Sequence, residues 1–211
     1  VSTGIAVVGM NAWWTPEEMD YALKDSQPRV LFADAERLER FQACPDLAGT
    51  MQVVGVRIPQ PPAGVIPWSE VVAHGGAMPQ VSVHPDDDAC IFYTSGTTGH
   101  PKGAQLTHRG CVANLMNLLY AGASSALATE RATGVAPPAD PPIPCLLLTT
   151  PLFHVTANNC GAYGTSALGG ALVLMYKWDT GEALRLIEQH RCTGMSGVPV
   201  MSREIINHPD F

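Results

Sequence analysis

The sequence predicts an α/β protein with two lobes, each built of a mainly parallel sheet flanked by helices. Short apolar runs, typical of buried strands, alternate with segments that open with helix-capping residues. Strands separated by helices favour a parallel, doubly wound sheet, because the chain needs a crossover to return in the same direction. The 211 residues, 46% hydrophobic and 15% charged, are sufficient for a globular core.

The first lobe is predicted over residues 1–125. Its opening strands are expected at residues 5–10, 30–33 and 51–56. Thr15 is the predicted N-cap of the first helix, with Pro16 at the first helical position and Glu18 as the capping-box partner. That helix is expected to end near Asp25.

A second capping signal follows the second strand. Asp34 is expected to cap a helix that runs through Phe41. Residues 57–88 are rich in proline and glycine, and we predict only a short helical turn there, near Trp68.

A stretch rich in glycine and hydroxyl groups, from Tyr93 to Gly103, directly follows the apolar strand at residues 89–93. Glycines let the backbone approach a ligand closely, while hydroxyls, backbone N–H groups and a lysine can donate to phosphate oxygens. A Gly/Thr-rich surface turn is the alternative. A Walker-type loop is excluded, because Pro101 and Gly103 flank Lys102 where that motif needs glycine and then serine or threonine.

The chain then leads into the second lobe. Residues 104–106 are expected to return as a strand, and Thr107 to cap a helix from His108 to about Tyr120. Residues 126–144, rich in proline, are predicted to connect the lobes.

The second lobe is predicted over residues 145–211. We expect strands at residues 145–149, 171–175 and 193–196. Helices are expected at residues 156–168, at 179–190 with Asp179 as cap and Glu182 as capping-box partner, and from Pro199 to about Asn207.

The stretch Tyr-Thr-Ser-Gly-Thr-Thr-Gly-x-Pro-Lys-Gly, with His100 in the variable position, closely resembles the signature of the adenylate-forming superfamily. That superfamily includes acyl-CoA synthetases, luciferases and nonribosomal-peptide adenylation domains. Pro151-Leu152-Phe153-His154 resembles a second motif of acyl- and aryl-CoA synthetases. The resemblance extends along the whole chain and implies an incomplete N-terminal domain of the adenylate-forming fold.

The resemblance implies an acyl-CoA synthetase of the fatty-acid–CoA ligase-like branch. Such an enzyme activates a carboxylic acid with ATP and Mg²⁺ to an acyl-adenylate, then transfers the acyl group to coenzyme A. It implies that the pyrophosphate moiety is held by Thr94, Ser95, Gly96, Thr97, Thr98 and Gly99. Lys102 would be a mobile cation, and His154 a catalytic residue near the acyl carboxylate. No metal-ligating residue is assigned within the chain.

Both ends are expected to be cut, since the chain lacks an initiator methionine and starts almost at once on an apolar run. The resemblance implies further segments for adenine, ribose and Mg²⁺, and a C-terminal domain with a catalytic lysine. We therefore expect this chain alone to be inactive. A stand-alone nucleotide- or acyl-binding module, an aryl-CoA ligase and a peptide-synthetase adenylation domain remain alternatives.

The composition limits the partners. A net charge of −7 with 12 scattered lysines and arginines argues against nucleic acid. Cysteines without Cys-x-x-Cys spacing favour free thiols in a reducing, cytoplasmic setting. No stretch is expected to span a membrane and no signal peptide is evident. Apolar edges of truncated lobes would favour a homodimer.

Overall fold

A computed structural model of the protein describes residues 1–95 and 99–211. The chain divides into two compact units, Val1–Thr107 and His108–Phe211. This division falls before the predicted end of the first lobe at residue 125. The functional assignment of the lobes stays a prediction.

The first unit contains helices and strands in alternation. In chain order they are β1 (Val7–Gly9), α1 (Pro16–Ser26), β2 (Val30–Ala33), α2 (Ala35–Gln42), β3 (Gln52–Gly55), β4 (Val65–Pro67), α3 (Trp68–Ala73), β5 (Asp88–Thr94) and β6 (Lys102–Thr107), with a 3-10 turn at Pro45–Leu47. The strands form two sheets, ordered β1-β5-β6 and β2-β3-β4. All pairs are parallel except β5 with β6.

The predicted α/β fold with mainly parallel sheets is confirmed, but the strands of this unit form two sheets where one doubly wound sheet was expected. β1 pairs with β5, far along the chain, while β2, β3 and β4 form a sheet of their own. Strand–helix alternation specifies the direction of pairing but not the partner, which depends on the apolar faces that meet in the folded chain.

The caps of α1 and α2 confirm the sequence reading. The Thr15 hydroxyl accepts from the Glu18 N–H, and the Glu18 carboxylate accepts from the Thr15 N–H, so the capping box is complete. The Asp34 carboxylate accepts from the Arg37 N–H at 3.1 Å. Both helices thereby satisfy N–H groups that have no partner inside a helix.

The core of this unit lies between the two helices and the β2-β3-β4 sheet. It is formed by Met19, Leu23, Ala33, Leu38, Phe41, Cys44, Leu47 and Val53. The strand β4 was missed by the sequence prediction. It is only three residues long, follows the left-handed Gly64 (φ +86°), and contains a proline, so its composition is that of a loop.

The second unit has one parallel sheet, ordered β8-β7-β9. In chain order it comprises α4 (His108–Thr133), β7 (Cys145–Leu148), a π-helical segment (Thr156–Ala162), α5 (Tyr163–Ala167), β8 (Ala171–Leu174), α6 (Thr180–His190), β9 (Gly194–Ser196) and α7 (Pro199–Ile206). Leu147 of the central strand is fully buried with Ala183 of α6 and Ile205 of α7.

The caps of α6 and α7 match the prediction in part. The Asp179 carboxylate accepts from the Glu182 N–H at 2.8 Å. The Glu182 carboxylate, however, pairs with Arg185 one turn along the helix. Pro199 opens α7 as expected.

Helix α4 is about twice as long as expected. It continues past Tyr120 to Thr133, so the early part of the predicted proline-rich connection is helical. Alanine is the strongest helix former, and four alanines lie between residues 121 and 129 without a proline. The helix ends at Gly134, whose φ of +71° suits glycine and whose N–H donates to the Glu130 carbonyl.

Among the helices that the structure describes, α4 alone is long and apolar enough to cross a membrane by length and composition. The expectation that no stretch meets these criteria is therefore wrong. One such helix is weak evidence for a membrane protein, because long helices in other settings pass the same test.

The helix predicted at residues 156–168 is divided. Its first part is π-helical, and α5 follows as a short α-helix. Gly161 lies against the sheet, where a Cβ would approach Leu148 Cδ1 to 2.8 Å. A side chain at this position would therefore displace the Leu148 side chain.

We expect Gly170→Ala to destabilise the second unit by about 1–3 kcal/mol, the usual cost of overpacking. A Cβ on Gly170 would lie 2.5 Å from the Pro144 carbonyl oxygen and 2.7 Å from Thr165 Cγ2. Chemical denaturation of the wild-type and variant chains measures the difference.

Gly122→Ala is the matched control, because a Cβ there meets nothing within 4 Å and the position is helical. It should be neutral or stabilising by about 0.5–1 kcal/mol. Equal effects of the two substitutions would show that the packing around Gly170 is not as described.

Candidate functional site

The two ends of the glycine-rich stretch are held side by side by the hairpin of β5 and β6. Tyr93 pairs with Gly103, and Thr94 pairs with Lys102. The Thr94 hydroxyl lies 3.4 Å from the Lys102 carbonyl oxygen, to which it donates. Thr94 and Lys102, at the two ends of this glycine-rich loop, therefore lie opposite each other across the hairpin.

The described residues at the two ends of the loop present donors to solvent. Thr94, Ser95 and Lys102 are exposed. Within residues 1–95 and 99–211, no ion pair occupies the Lys102 ammonium. Hydroxyls and an available cation without a carboxylate partner fit an anionic ligand such as a phosphate.

The structure describes only some of the residues that were predicted to hold pyrophosphate. Gly99 has a φ of +91°, a conformation that glycine adopts readily and residues with a side chain rarely do. Gly96, Thr97 and Thr98, which were predicted to hold pyrophosphate, lie outside the described residues.

The base of the loop is attached to α1 through Tyr93. The Tyr93 hydroxyl donates to Asp25 Oδ2 at 2.6 Å, and the ring meets Trp14 edge-on with centroids 5.4 Å apart. Burial raises the pKa of Tyr93, and the hydrogen bond to Asp25 raises it further. The phenol is thus a stable neutral donor at the foot of the loop.

Arg40 of α2 holds the segment that contains Trp14. The Arg40 guanidinium donates to the carbonyl oxygens of Ala12 and Trp14, at 2.8 and 3.0 Å. These charge-assisted hydrogen bonds secure the segment between β1 and α1. The loop therefore rests on side chains that the core helices position.

The far end of the loop also touches α1. The His100 ring stacks on Tyr21, with centroids 4.8 Å apart and planes 21° from parallel. Tyr21 and Asp25 are four residues apart, so they share one face of the helix. This i, i+4 spacing is the signal by which both could have been found, but the sequence does not reveal that this face meets the loop.

Gly103 makes room for Tyr93 across the hairpin. A Cβ at this position would lie 3.0 Å from Ile91 Cγ2 and 3.3 Å from Tyr93 Cζ. Glycine at the end of the signature thus leaves room for the side chains of Ile91 and Tyr93.

His154 belongs to the second unit and follows β7. Its side chain is exposed, and its Nδ1 accepts from the Thr156 N–H at 3.2 Å. Because Nδ1 acts as an acceptor, a neutral ring carries its proton on Nε2. The imidazole can thus offer an N–H donor to an anionic group.

Within the described ranges, no group of three or more histidine, cysteine, aspartate or glutamate side chains could hold a metal ion. The chemistry that the described site residues offer is hydrogen-bond donation and positive charge.

Comparisons with known proteins show what the chain is similar to. The family model described as AMP-binding enzyme matches residues 1–211. Feruloyl-CoA synthase from an Amycolatopsis species is 32% identical over 98% of the chain and 36% of its own length. Rice (Oryza sativa subsp. japonica) 4-coumarate–CoA ligase 3 is 30% identical over 98% of the chain and 34% of its own length.

Among solved structures, ATP-bound MatB from Rhodopseudomonas palustris superposes with a TM-score of 0.66 and 26% identity. The match covers 95% of the chain and 35% of MatB. The chain thus spans about a third of the length of the proteins it matches.

We expect Tyr93→Phe to lower the free energy of unfolding by about 1 kcal/mol at neutral pH, because the hydrogen bond to Asp25 is lost. The folded state raises the pKa of Tyr93 and so favours the protonated phenol. Its contribution is complete below the ordinary tyrosine pKa of 10.0 and declines as the pH rises above it. The difference between wild type and variant should therefore narrow at alkaline pH.

Tyr176→Phe serves as the control, since the Tyr176 side chain is 86% exposed. Urea denaturation at neutral and alkaline pH measures both variants, and the control should stay within about 0.5 kcal/mol of wild type. A Tyr93→Phe difference that stays constant or grows with pH would contradict the assignment.

Proposed function

The chain belongs to the AMP-binding enzyme family, and we propose that it supplies the phosphate-binding part of an ATP-dependent acid–thiol ligase. That ligase would activate a carboxylic acid with ATP to an acyl-adenylate and pass the acyl group to coenzyme A. One observation carries the proposal: Thr94 and Lys102 pair across the hairpin, Lys102 is exposed, and no ion pair with a described residue occupies its ammonium group.

The loop addresses the charge problem of the first step. A carboxylate must approach the α-phosphorus of ATP, which carries several negative charges. Hydroxyl donors and the Lys102 cation, placed at the β- and γ-phosphates, would neutralise charge as pyrophosphate departs. Mg²⁺ would share this task, held by residues beyond those of the described site.

We propose His154 as the donor to the acid. Its Nε2–H is available because Nδ1 is occupied by the Thr156 N–H. A hydrogen bond from Nε2 to the substrate carboxylate or to the adenylate would orient the reacting carbonyl carbon. This assignment follows from donor chemistry and from the Pro-Leu-Phe-His motif.

The class of acid is the finer part of the proposal. The names of the two curated relatives above are those of aryl-CoA ligases, which supports an aromatic acid of the hydroxycinnamate type as the first substrate to test. A fatty acid is the competing proposal. Activity with an amino acid would favour the adenylation-domain alternative.

We also propose that the 211-residue chain alone does not turn over. The sequence lacks the Tyr-Gly-x-Thr-Glu segment that the resemblance implies for adenine and Mg²⁺. Binding of ATP without exchange, by this chain and by any longer protein that contains it, would favour a nucleotide-binding module instead.

The proposed setting is cytoplasmic, and self-association of the isolated chain is proposed as well. Large apolar side chains such as Ile5, Phe32 and Met116 are more than half exposed, and exposed apolar surface favours association. Light scattering at high protein concentration should detect a dimer or a larger assembly. A monodisperse monomer would refute this part.

We expect Lys102→Ala to lower acid-dependent ATP–pyrophosphate exchange of the full-length protein on the order of 100-fold, the typical effect of removing one group that stabilises transition-state charge. Lys177→Ala is the matched control, because Lys177 is exposed and lies outside the loop. A panel of hydroxycinnamic, fatty and amino acids in the same assay identifies the substrate class.

The same assay tests His154. His154→Ala should raise the KM for the acid and leave the KM for ATP nearly unchanged. Lys102→Ala should instead change the kinetic parameters for ATP. His84→Ala, at an exposed position outside the site, is the control. Wild-type exchange rates in both site variants would overturn the proposed mechanism.

A further inference from the structure

Two cysteines far apart in the sequence meet at the N-terminal ends of the strands in the β8-β7-β9 sheet. Cys145 is the first residue of β7, and Cys192 lies in the turn between α6 and β9. Their Sγ atoms are 3.9 Å apart, although 47 positions separate them in the chain. Neither thiol belongs to the site described above.

The backbone around both residues is held by the sheet. The Thr193 N–H donates to the Cys145 carbonyl at 2.8 Å, and the Cys145 N–H donates to the Thr193 hydroxyl at 3.0 Å. The Cys192 N–H donates to the Ile187 carbonyl at 3.0 Å. These hydrogen bonds hold the backbone of both residues, so the two thiols lie close together in the folded chain.

The remaining distance is small. A disulfide has its sulfur atoms about 2.05 Å apart, so the two Sγ atoms need to approach by about 2 Å. Rotation about the Cα–Cβ bonds can supply this movement, and both side chains are only half-buried. An oxidant of low molecular weight can thus reach the pair.

We propose that Cys145 and Cys192 form a reversible intramolecular disulfide when the protein meets a small-molecule disulfide such as oxidised glutathione. The Cys145 thiolate attacks one sulfur of the oxidant and expels the first small thiol. Cys192 then loses its proton to solvent and attacks the Cys145 sulfur, which expels the second. The protein loses two hydrogens as two thiols become one disulfide, and the oxidant is reduced to two thiols.

The order of attack follows from the surroundings of Cys192. Burial, and next the contact with Cys145, raise the pKa of Cys192 to about 11. At neutral pH its thiol is protonated and a poor nucleophile toward an external disulfide. It reacts once a mixed disulfide on Cys145 is held beside it, because the reaction is then intramolecular.

We expect the disulfide to stabilise the second unit and to leave His154 accessible. The cross-link joins the chain at the entry ends of the parallel strands β7 and β9, whereas His154 follows the opposite end of β7. It closes a long loop that contains β8 and α6. Closing a long loop reduces the freedom of the unfolded chain.

The test is a redox titration of the 211-residue chain in graded mixtures of reduced and oxidised glutathione. After acid quench and alkylation in denaturant, peptide mapping should show one cross-linked Cys145–Cys192 peptide pair. Exposed Cys160 should instead carry glutathione as a mixed disulfide. The melting temperature should rise by about 5 °C or more and return on reduction.

Three variants give the controls. Cys160→Ser should keep both the cross-link and the rise in melting temperature, while Cys145→Ser and Cys192→Ser should each lose both. The proposal is overturned if the two thiols remain alkylatable in every buffer that modifies Cys160, or if they carry only separate glutathione adducts. A shift of melting temperature that survives in both single variants would also overturn it. None of these outcomes depends on the proposed ligase activity.

Discussion

Antiparallel pairing of β5 with β6 is the interaction on which the candidate phosphate site depends. It brings Thr94 opposite Lys102, so the ends of the loop between them cannot separate while the hairpin is formed. A flexible loop with free ends would have to lose conformational entropy each time it gathered its donors around an anion. The hairpin removes much of that cost before any ligand arrives.

The hairpin is itself supported from beneath. Tyr93 of β5 contacts Asp25 of α1 and Trp14, which precedes α1. Arg40 of α2 holds the segment that contains Trp14. The same two helices form the core of the unit against the β2-β3-β4 sheet. Packing of the core helices is thereby coupled to the position of Tyr93 at the start of the glycine-rich loop.

The second unit is built around a buried central strand. Its central strand β7 is covered on both sides by neighbours, and Leu147 is fully buried. The small residues Gly161 and Gly170 allow the following backbone to lie close to the strand and its flanks. His154 stands just beyond this packed strand, and the Thr156 N–H orients its ring from the main chain.

Local chemistry determined what the sequence could predict. Thr15, Asp34 and Asp179 cap the expected helices because capping needs only residues within one turn. The signal for a candidate phosphate loop is likewise local, since it rests on glycines, hydroxyls and one lysine that lie close together in the sequence.

Tertiary structure alone decided the rest, because these features depend on residues distant in the chain. The partner of β1, the short strand β4, and the contacts of Tyr21 with His100 and of Asp25 with Tyr93 are of this kind. The sequence of a strand does not specify which strand it pairs with. The sequence of a helix face does not specify what that face packs against. Only packing of the whole unit specifies them.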